Sequence, residues 1–204
     1  MPTTDDPTKS TTRPPTETRE LDARSLIALA HQLRIRLLDS LTRDGPATAT
    51  SLAAALRESS GATSYHLRLL ARHGFVEPEA GRGKGRERWW RAVAGGIHLK
   101  GYEFLDDETT RAATQVLIGE VHRQAEEHLR QWFESSTRWP RKWQAASTDS
   151  VYSLHLTARE TASLRDELKA VMDGYRDRPV GPKSRQVEVH INVFPAGDPP
   201  TKAR

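Results

Sequence analysis

The sequence predicts a mainly α-helical protein with a small β component, an α+β fold. Leucines recur at three- to four-residue spacing over residues 26–41, as they do on the buried face of a helix. Two short apolar runs flank the glycine-rich residues 81–85, which is typical of a β-hairpin. Apolar and polar residues alternate over residues 187–193, which indicates a half-buried strand.

The composition excludes several kinds of site. The chain has 204 residues, a net charge of +4 and no cysteine, so disulfides, thiolate metal sites and cysteine nucleophiles are ruled out. No apolar run approaches the roughly 18 residues that a membrane helix needs, so no membrane partner is expected. Residues 1–20 are rich in threonine, proline and charge and lack the apolar stretch of a secretory signal. We therefore expect a disordered N-terminal arm on a cytoplasmic, nucleoid-associated protein.

Residues 21–95 form the first predicted domain, which begins with three helices. Asp22 can cap the first helix, because its carboxylate accepts backbone N–H groups of the first turn. The leucine pattern favours a bend near His31, which should pack inside the domain or cap the second helix. A turn then precedes a third helix, for which Thr48 and Thr50 are the alternative caps.

A fourth helix and a β-hairpin complete this domain. The helix should run over about residues 62–73 and stop at Gly74, a residue that adopts the left-handed conformation easily. Residues 75–79 and 86–93 read as two strands, and residues 81–85 form a flexible, basic tip between them. The predicted order is that of a winged helix-turn-helix.

Residues 96–204 form the predicted C-terminal region, which should provide dimerisation or sensing. We expect one long helix at 106–136 and then a small strand–helix–strand unit. Its strands are expected at 151–156 and 187–193, and residues 157–160 match a capping box at the start of the helix between them. The expected buried face of that helix comprises Leu164, Leu168, Val171, Met172 and Tyr175.

The fourth helix and the hairpin together are a candidate DNA-reading unit. A helix fits the major groove, where its first residues reach deepest, and here those residues are small and polar. Residues 60–91 hold seven Lys and Arg against three acidic residues, a local charge of about +4 that fits a nucleic-acid footprint. The candidate DNA contacts are Ser60, Gly61, Ala62, Ser64, Tyr65, His66, Arg68, Arg82, Lys84, Arg86 and Arg88.

Three stretches of this domain resemble the ArsR-type winged-helix regulators. They read LIALAHQLRIRLLDSL, SLAAALRESSGATSYHLRLLARHGFVE and GRERWWRAV. The resemblance implies a homodimeric, sequence-specific DNA-binding transcriptional regulator, usually a repressor that leaves a palindromic operator when a signal such as a small-molecule effector arrives. Metal-sensing members use a thiolate pair, which this chain lacks, so metal sensing is not implied. The tail resembles the C-terminal extensions of some actinobacterial-type members.

The sequence offers less support for other functions. No nucleophile–base pair, metal motif or cofactor loop marks the C-terminal half, so we expect neither an enzyme nor a bound cofactor. The alternative function is a winged-helix module that binds protein without reading DNA. His122 and Glu126 share a helix face and could bind a divalent metal, although solvated charge is the simpler account.

Two further groups of side chains lie in the C-terminal region. His155 and His190 fall on predicted strands and could meet across a sheet as a ligand site. An aromatic group could line an apolar effector pocket or form the core of a dimer, and we favour the second interpretation. This group comprises Trp132, Phe133, Trp139 and Trp143.

Overall fold

The computed structural model describes residues 19–82, 87–93, 97–98, 103–176 and 178–198. The chain divides into two compact units, Met1–Gln124 and Ala125–Arg204. Helices dominate both units and a small sheet accompanies those of the first, which confirms the predicted fold class. In these ranges no helix combines the length and the apolar character that a membrane crossing requires.

Four helices open the first unit, and their ends follow capping signals in the sequence. Asp22 accepts a hydrogen bond from a backbone N–H of the first turn at 2.7 Å. His31 Nδ1 accepts one from Leu33 N–H at 3.1 Å, and Thr48 and Ser51 form a reciprocal capping box. The helices are α1 (Ala23–Leu29), α2 (Gln32–Arg43), α3 (Ala49–Leu56) and α4 (Ser60–Arg72).

The bend predicted near His31 is confirmed, because α1 ends and α2 begins on either side of it. His31 is exposed and caps α2, so the capping role is confirmed and the burial is wrong. A cap must lie at the helix end, where its ring bonds a free backbone N–H instead of entering the core.

Helix α4 starts two residues earlier than predicted. Its cap is Ser59, whose hydroxyl accepts a hydrogen bond from Ala62 N–H at 3.1 Å, so Ser60 already belongs to the helix. At the other end Gly74 has φ +68°, a left-handed conformation that glycine adopts without strain. The glycine therefore ends the helix as predicted and turns the chain toward the sheet.

The described residues of the first unit include five short strands. They are β1 (Arg19–Glu20), β2 (Ala47–Thr48), β3 (Val76–Pro78), β4 (Trp89–Ala92) and β5 (Ile97–His98). Strands β2, β4 and β3 form an antiparallel sheet in that order, in which Val76 lies opposite Ala92. The predicted hairpin is thus present over shorter spans, and residues 83–86 of its tip lie outside the described residues. Strand β1 pairs in parallel with β5, so a strand occupies the last two residues of the expected arm.

The core of the first unit holds α4 from one side. Leu26, Leu37, Leu67 and Leu70 are at most 1% exposed, and Trp90 of β4 packs among them at 4%. The neighbouring Trp89 is only half-buried, as expected when successive strand residues point to opposite faces. The inward direction predicted for Leu67 and Leu70 is therefore correct.

A long helix, α5 (Glu108–Ser135), begins in the first unit and ends in the second. Asp107 caps it by accepting hydrogen bonds from Thr110 N–H and Thr109 N–H, each at 3.0 Å. The bond from Thr110 is the main reason that the pKa of Asp107 lies below its ordinary value. The predicted domain limits, 21–95 and 96–204, stay predictions.

Two further helices, α6 (Arg141–Ala146) and α7 (Ala158–Arg176), lie in the second unit. The capping box predicted at the start of α7 is present. Thr157 N–H donates to a Glu160 carboxylate oxygen at 2.8 Å, and Glu160 N–H donates to Thr157 Oγ1 at 3.3 Å.

Two expectations for the second unit are wrong. Residues 151–156 and 187–193 join no sheet within the described ranges. No residue of α7 is fully buried, and Val171 and Tyr175 are 52% and 61% exposed. Strand pairing and helix burial each need a partner surface, which local sequence patterns do not supply.

Candidate nucleic-acid interface

Helix α4 has a buried face and an exposed face on opposite sides. The buried face carries Thr63, Leu67 and Leu70. The exposed residues follow one another at intervals of four, three and four positions, which aligns them along one side of a helix. These residues are Gly61, Tyr65, Arg68 and Arg72.

An open cleft of about 510 Å³ lies against this helix. Arg68 and Ser64 line it from α4, and Arg88, which directly precedes β4, lines it from the hairpin. Thr50 lines it from the first turn of α3, where backbone N–H groups and the helix dipole favour an anion. A phosphate group in the cleft would therefore meet two guanidinium groups and a helix N-terminus.

Ion pairs across the hairpin neutralise nearby acidic groups, so the cleft keeps a net positive charge. Arg91 binds Glu77 at 2.6 Å and Glu79 at 3.0 Å, and these are two of the three acidic residues between positions 60 and 91. The third, Glu87, lines the cleft together with the two arginines. The acidic groups of the β3 side are thus neutralised by a residue outside the cleft.

Tryptophan rings restrain two cations of the hairpin. The guanidinium carbon of Arg82 lies 5.4 Å from the Trp89 ring centre, and that of Arg88 lies 5.5 Å from the Trp90 ring centre. Such cation–π contacts contribute about 0.5–1 kcal/mol at exposed sites. Restraint of this kind reduces the side-chain entropy that these arginines would lose on binding a ligand.

His66 lies at the edge of α4 and stacks against His31, with ring centres 4.4 Å apart, while Tyr65 meets it edge-on at 5.1 Å. Burial is the main cause that lowers the pKa of His66, the charges of His31 and Arg34 lower it further, and Glu58 opposes them. Its Nδ1 atom is buried and has no hydrogen-bond partner among the described residues. This placement favours a packing role, and the predicted phosphate contact stays a prediction.

The predicted contact residues divide into three groups. Ser60 and Gly61 are exposed in the first turn of α4, whereas Ala62 is half-buried and packs against the core. Lys84 and Arg86 lie outside the described residues. The remaining predicted residues lie on α4 or on the hairpin, as described above, and their contact with DNA stays a prediction.

The sequence did not single out two residues of this surface as DNA contacts: Arg72, on the exposed face of α4, and Thr50, beside the cleft. Arg72 lies four positions after Arg68, so helical spacing alone could have found it. Thr50 was considered only as a cap of α3. Its place beside Arg68 depends on how α3 packs against α4, and no local pattern reports this.

The two hypotheses about metal or ligand binding have different outcomes. His122 and Glu126 are both exposed on α5, and the metal hypothesis stays untested. The prediction that His155 and His190 meet across a sheet is wrong, because the segments that carry them join no sheet within the described ranges.

The aromatic group of the second unit is a chain of ring contacts. Trp132 and Trp139 have ring centres 6.1 Å apart, and Trp139 and Trp143 have centres 6.4 Å apart. Arg185 lies over Trp139 at 5.4 Å. All three tryptophans are half-buried, and Phe133 is 54% exposed. The group therefore presents accessible aromatic surface, which suits both an effector pocket and an interface.

A comparison with protein families matches part of the first unit. Residues 29–79 match the model of a family described as a helix-turn-helix domain. This stretch contains α2, α3, α4 and β3, the elements that build the exposed helix face. The match identifies a helix-turn-helix domain in this region, which agrees with the DNA-binding function expected from the sequence.

The solved structures that are similar to the chain include the following two. Reduced HlyU from Vibrio cholerae N16961 is 20% identical, with a TM-score of 0.31, and the match covers 50% of this chain and 87% of that one. An apo-form mutant of ZitR from Lactococcus lactis is 14% identical, with a TM-score of 0.32, and the match covers 72% and 83%. No curated protein matches the chain.

Proposed function

We propose that the chain is a sequence-specific transcriptional regulator that binds a palindromic operator as a homodimeric repressor. Helix α4 enters the major groove, and the hairpin binds the backbone or the minor groove. The observation that carries this proposal is that the exposed face of α4 lies beside a cleft lined by two arginines. The protein acts on nucleoid DNA in the cytoplasm and is not an enzyme.

The residues of the interface divide into two roles. Tyr65, Arg68 and Arg72 lie on the exposed face of α4, and an arginine there can bind guanine O6 and N7 with both of its terminal groups. Arg88 and the first turn of α3 line the cleft and suit phosphate oxygens, which position a protein on the duplex without reading its sequence. The hairpin cations extend this contact along the backbone.

Dimer symmetry gives the expected form of the operator. Two copies related by a two-fold axis present two α4 helices, which read half-sites about 34–36 Å apart on one side of the duplex. A small-molecule effector that favoured one arrangement of the two DNA-binding units in the dimer would change the operator affinity.

A binding titration tests the interface. Labelled duplex carrying the upstream region of the protein's own gene is titrated with the chain and followed by fluorescence anisotropy. Arg68→Ala with Arg72→Ala should remove sequence preference, because each well-placed bidentate pair supplies about 1–3 kcal/mol of discrimination. Arg141→Ala, a change at an exposed arginine of α6, is the matched control and should bind like the unchanged chain.

Two results would reject the proposal. Unchanged affinity and preference in the α4 double variant would show that this face does not contact DNA. Failure of the unchanged chain to bind any duplex at low salt, together with capture of a protein partner by α4, would favour the protein-binding module.

A further inference from the structure

A segment of the second unit exposes apolar side chains in the pattern of a strand. Within residues 187–193, Val187, Val189 and Ile191 are 63%, 58% and 43% exposed. Glu188 is also exposed, with 40% of its side chain accessible, and its Oε1 lies 2.8 Å from Nδ1 of His128 on α5. A strand that covered its own core would bury these apolar residues.

The backbone of this segment is also unpaired. Residues 187–193 make no backbone hydrogen bond with another residue of the described ranges. A row of unpaired N–H and C=O groups beside apolar side chains is a template for pairing with another strand.

Helix α7 supplies a second apolar surface. On its charged side Asp173 binds Lys169 at 2.5 Å and Arg176 at 2.8 Å, so the charges there are paired with one another. The opposite side carries apolar residues at intervals of four, three and four positions, as in the seam between two packed helices. These residues are Leu164, Leu168, Val171 and Tyr175, and none of them is fully buried.

The chain ends that lie outside the described residues are unsuited to cover these surfaces. Residues 1–18 and 199–204 contain six prolines and only two apolar residues, Met1 and Ala203. Proline cannot donate to a sheet ladder, and polar side chains would leave the exposed valines uncovered. DNA is equally unsuited, because its recognition requires cationic and polar groups.

A second copy of the chain fits by symmetry. Residues 187–193 read Val-Glu-Val-His-Ile-Asn-Val. Apolar and polar residues therefore alternate in the same order whether the segment is followed from His190 toward its start or toward its end. Antiparallel pairing with itself about His190 would place Val189 opposite Ile191 and Val187 opposite Val193. Apolar cross-strand pairs of this kind stabilise a sheet, and an isologous interface requires this self-complementarity.

We propose that residues 187–193 of two chains pair in antiparallel orientation with His190 on the two-fold axis. The apolar side of α7 packs on the two-stranded ribbon, which would be only marginally stable without such a cover. This inference rests on the homodimer of the proposed function and names the interface that forms it.

A cysteine placed at the axis tests the register, because the natural chain has none. In His190→Cys the two Cα atoms would lie about 4.5–5.5 Å apart, which is within the disulfide range of about 4.4–6.8 Å. In the control Asn192→Cys the two cysteines would be four residues apart along the ribbon, about 14 Å at about 3.4 Å per residue. Mild oxidation of the full-length chain should link nearly all of the first variant into covalent dimers and little of the second.

The outcomes separate this interface from the proposed function. A dimer by light scattering that still binds DNA, but in which the two variants cross-link equally or not at all, overturns the interface alone. A monomer overturns both the interface and the homodimer. An intrachain disulfide in a chain carrying His155→Cys and His190→Cys, formed in place of the covalent dimer, would show that the segment pairs within its own subunit and would also overturn the proposal.

Discussion

The variant Arg88→Ala tests whether Arg88 contacts a phosphate or a base, because loss of a phosphate contact makes the DNA affinity less dependent on salt concentration. Arg88 lines the cleft beside α3 and α4 and lies over the Trp90 ring. If its guanidinium neutralises one phosphate in each head, binding of a dimer releases about 1.8 fewer counterions in the variant, at about 0.9 per phosphate contact. The slope of log K against log salt should become shallower by that amount.

The expected size of the effect can be measured directly. Between 50 and 200 mM salt, a slope difference of about 1.8 corresponds to a roughly 12-fold change in the affinity ratio of the two proteins. The variant should bind more weakly at 50 mM, and most of its deficit should disappear at 200 mM. Anisotropy titrations of one labelled operator over a salt series give both slopes, and a thermal melt of the variant shows whether it is folded.

Two comparisons make this test decisive. Arg141→Ala removes a charge from α6 and should leave the slope unchanged. Arg68→Ala should mainly reduce the preference for operator over unrelated duplex if Arg68 reads a base, with a smaller change in slope. An Arg88→Ala slope equal to that of the unchanged chain would refute the phosphate contact and the role given to the cleft.

Three further predictions concern the elements that hold α4 in place. Leu67→Ala should lower the free energy of unfolding, measured in urea, by about 2–5 kcal/mol, because removal of a fully buried side chain leaves a cavity. Leu69→Ala, at a half-buried position, should lower it clearly less, and equal losses would contradict the assigned core. Thr48→Ala should lower the free energy of unfolding by about 1 kcal/mol through loss of the α3 cap, while Thr50→Ala should leave it nearly unchanged. The reverse order in the same unfolding assay would mean that Thr50 is the cap. His66→Gln should flatten the pH dependence of stability: burial holds the pKa of His66 below 6.5 in the folded chain, so the unfolded chain binds more protons near that pH and the natural protein loses stability as the pH falls. Urea midpoints from about pH 8 to about pH 5 test this, and an equal slope in both proteins would show that His66 protonates as easily in the fold as in the unfolded chain.

Local chemistry in the sequence was enough to predict most of the first unit. Asp22 and Thr48 cap helices through hydrogen bonds to residues three positions away. Gly74 ends α4 because the chain turns there through a left-handed conformation, which glycine adopts without strain. Leu67 and Leu70 follow the helical period that separates the core from the exposed face. Because each of these signals acts within about one helical turn, the order of helices and hairpin could be read from the chain.

The candidate site depends on contacts between residues far apart in the sequence. The pairing of Arg91 with Glu77 and Glu79 decides which charges remain at the cleft, and it exists only because β3 and β4 are neighbours. The burial of His66 against His31 likewise requires α4 to lie beside the start of α2. Charge counts along the chain show that the region is basic but cannot show where the positive surface lies.

The amino-acid sequence is enough to predict the helices, their caps, the hairpin and the basic character of the region around α4, since hydrogen bonding and apolar periodicity act over a few residues. Long-range packing is needed to show that α3, α4 and the hairpin share one cleft, and that residues 151–156 and 187–193 join no sheet in the described chain. A strand pattern states which side of a segment is apolar. The partner that covers that side must come from elsewhere in the fold or from another molecule, and alternation within the segment carries no information about it.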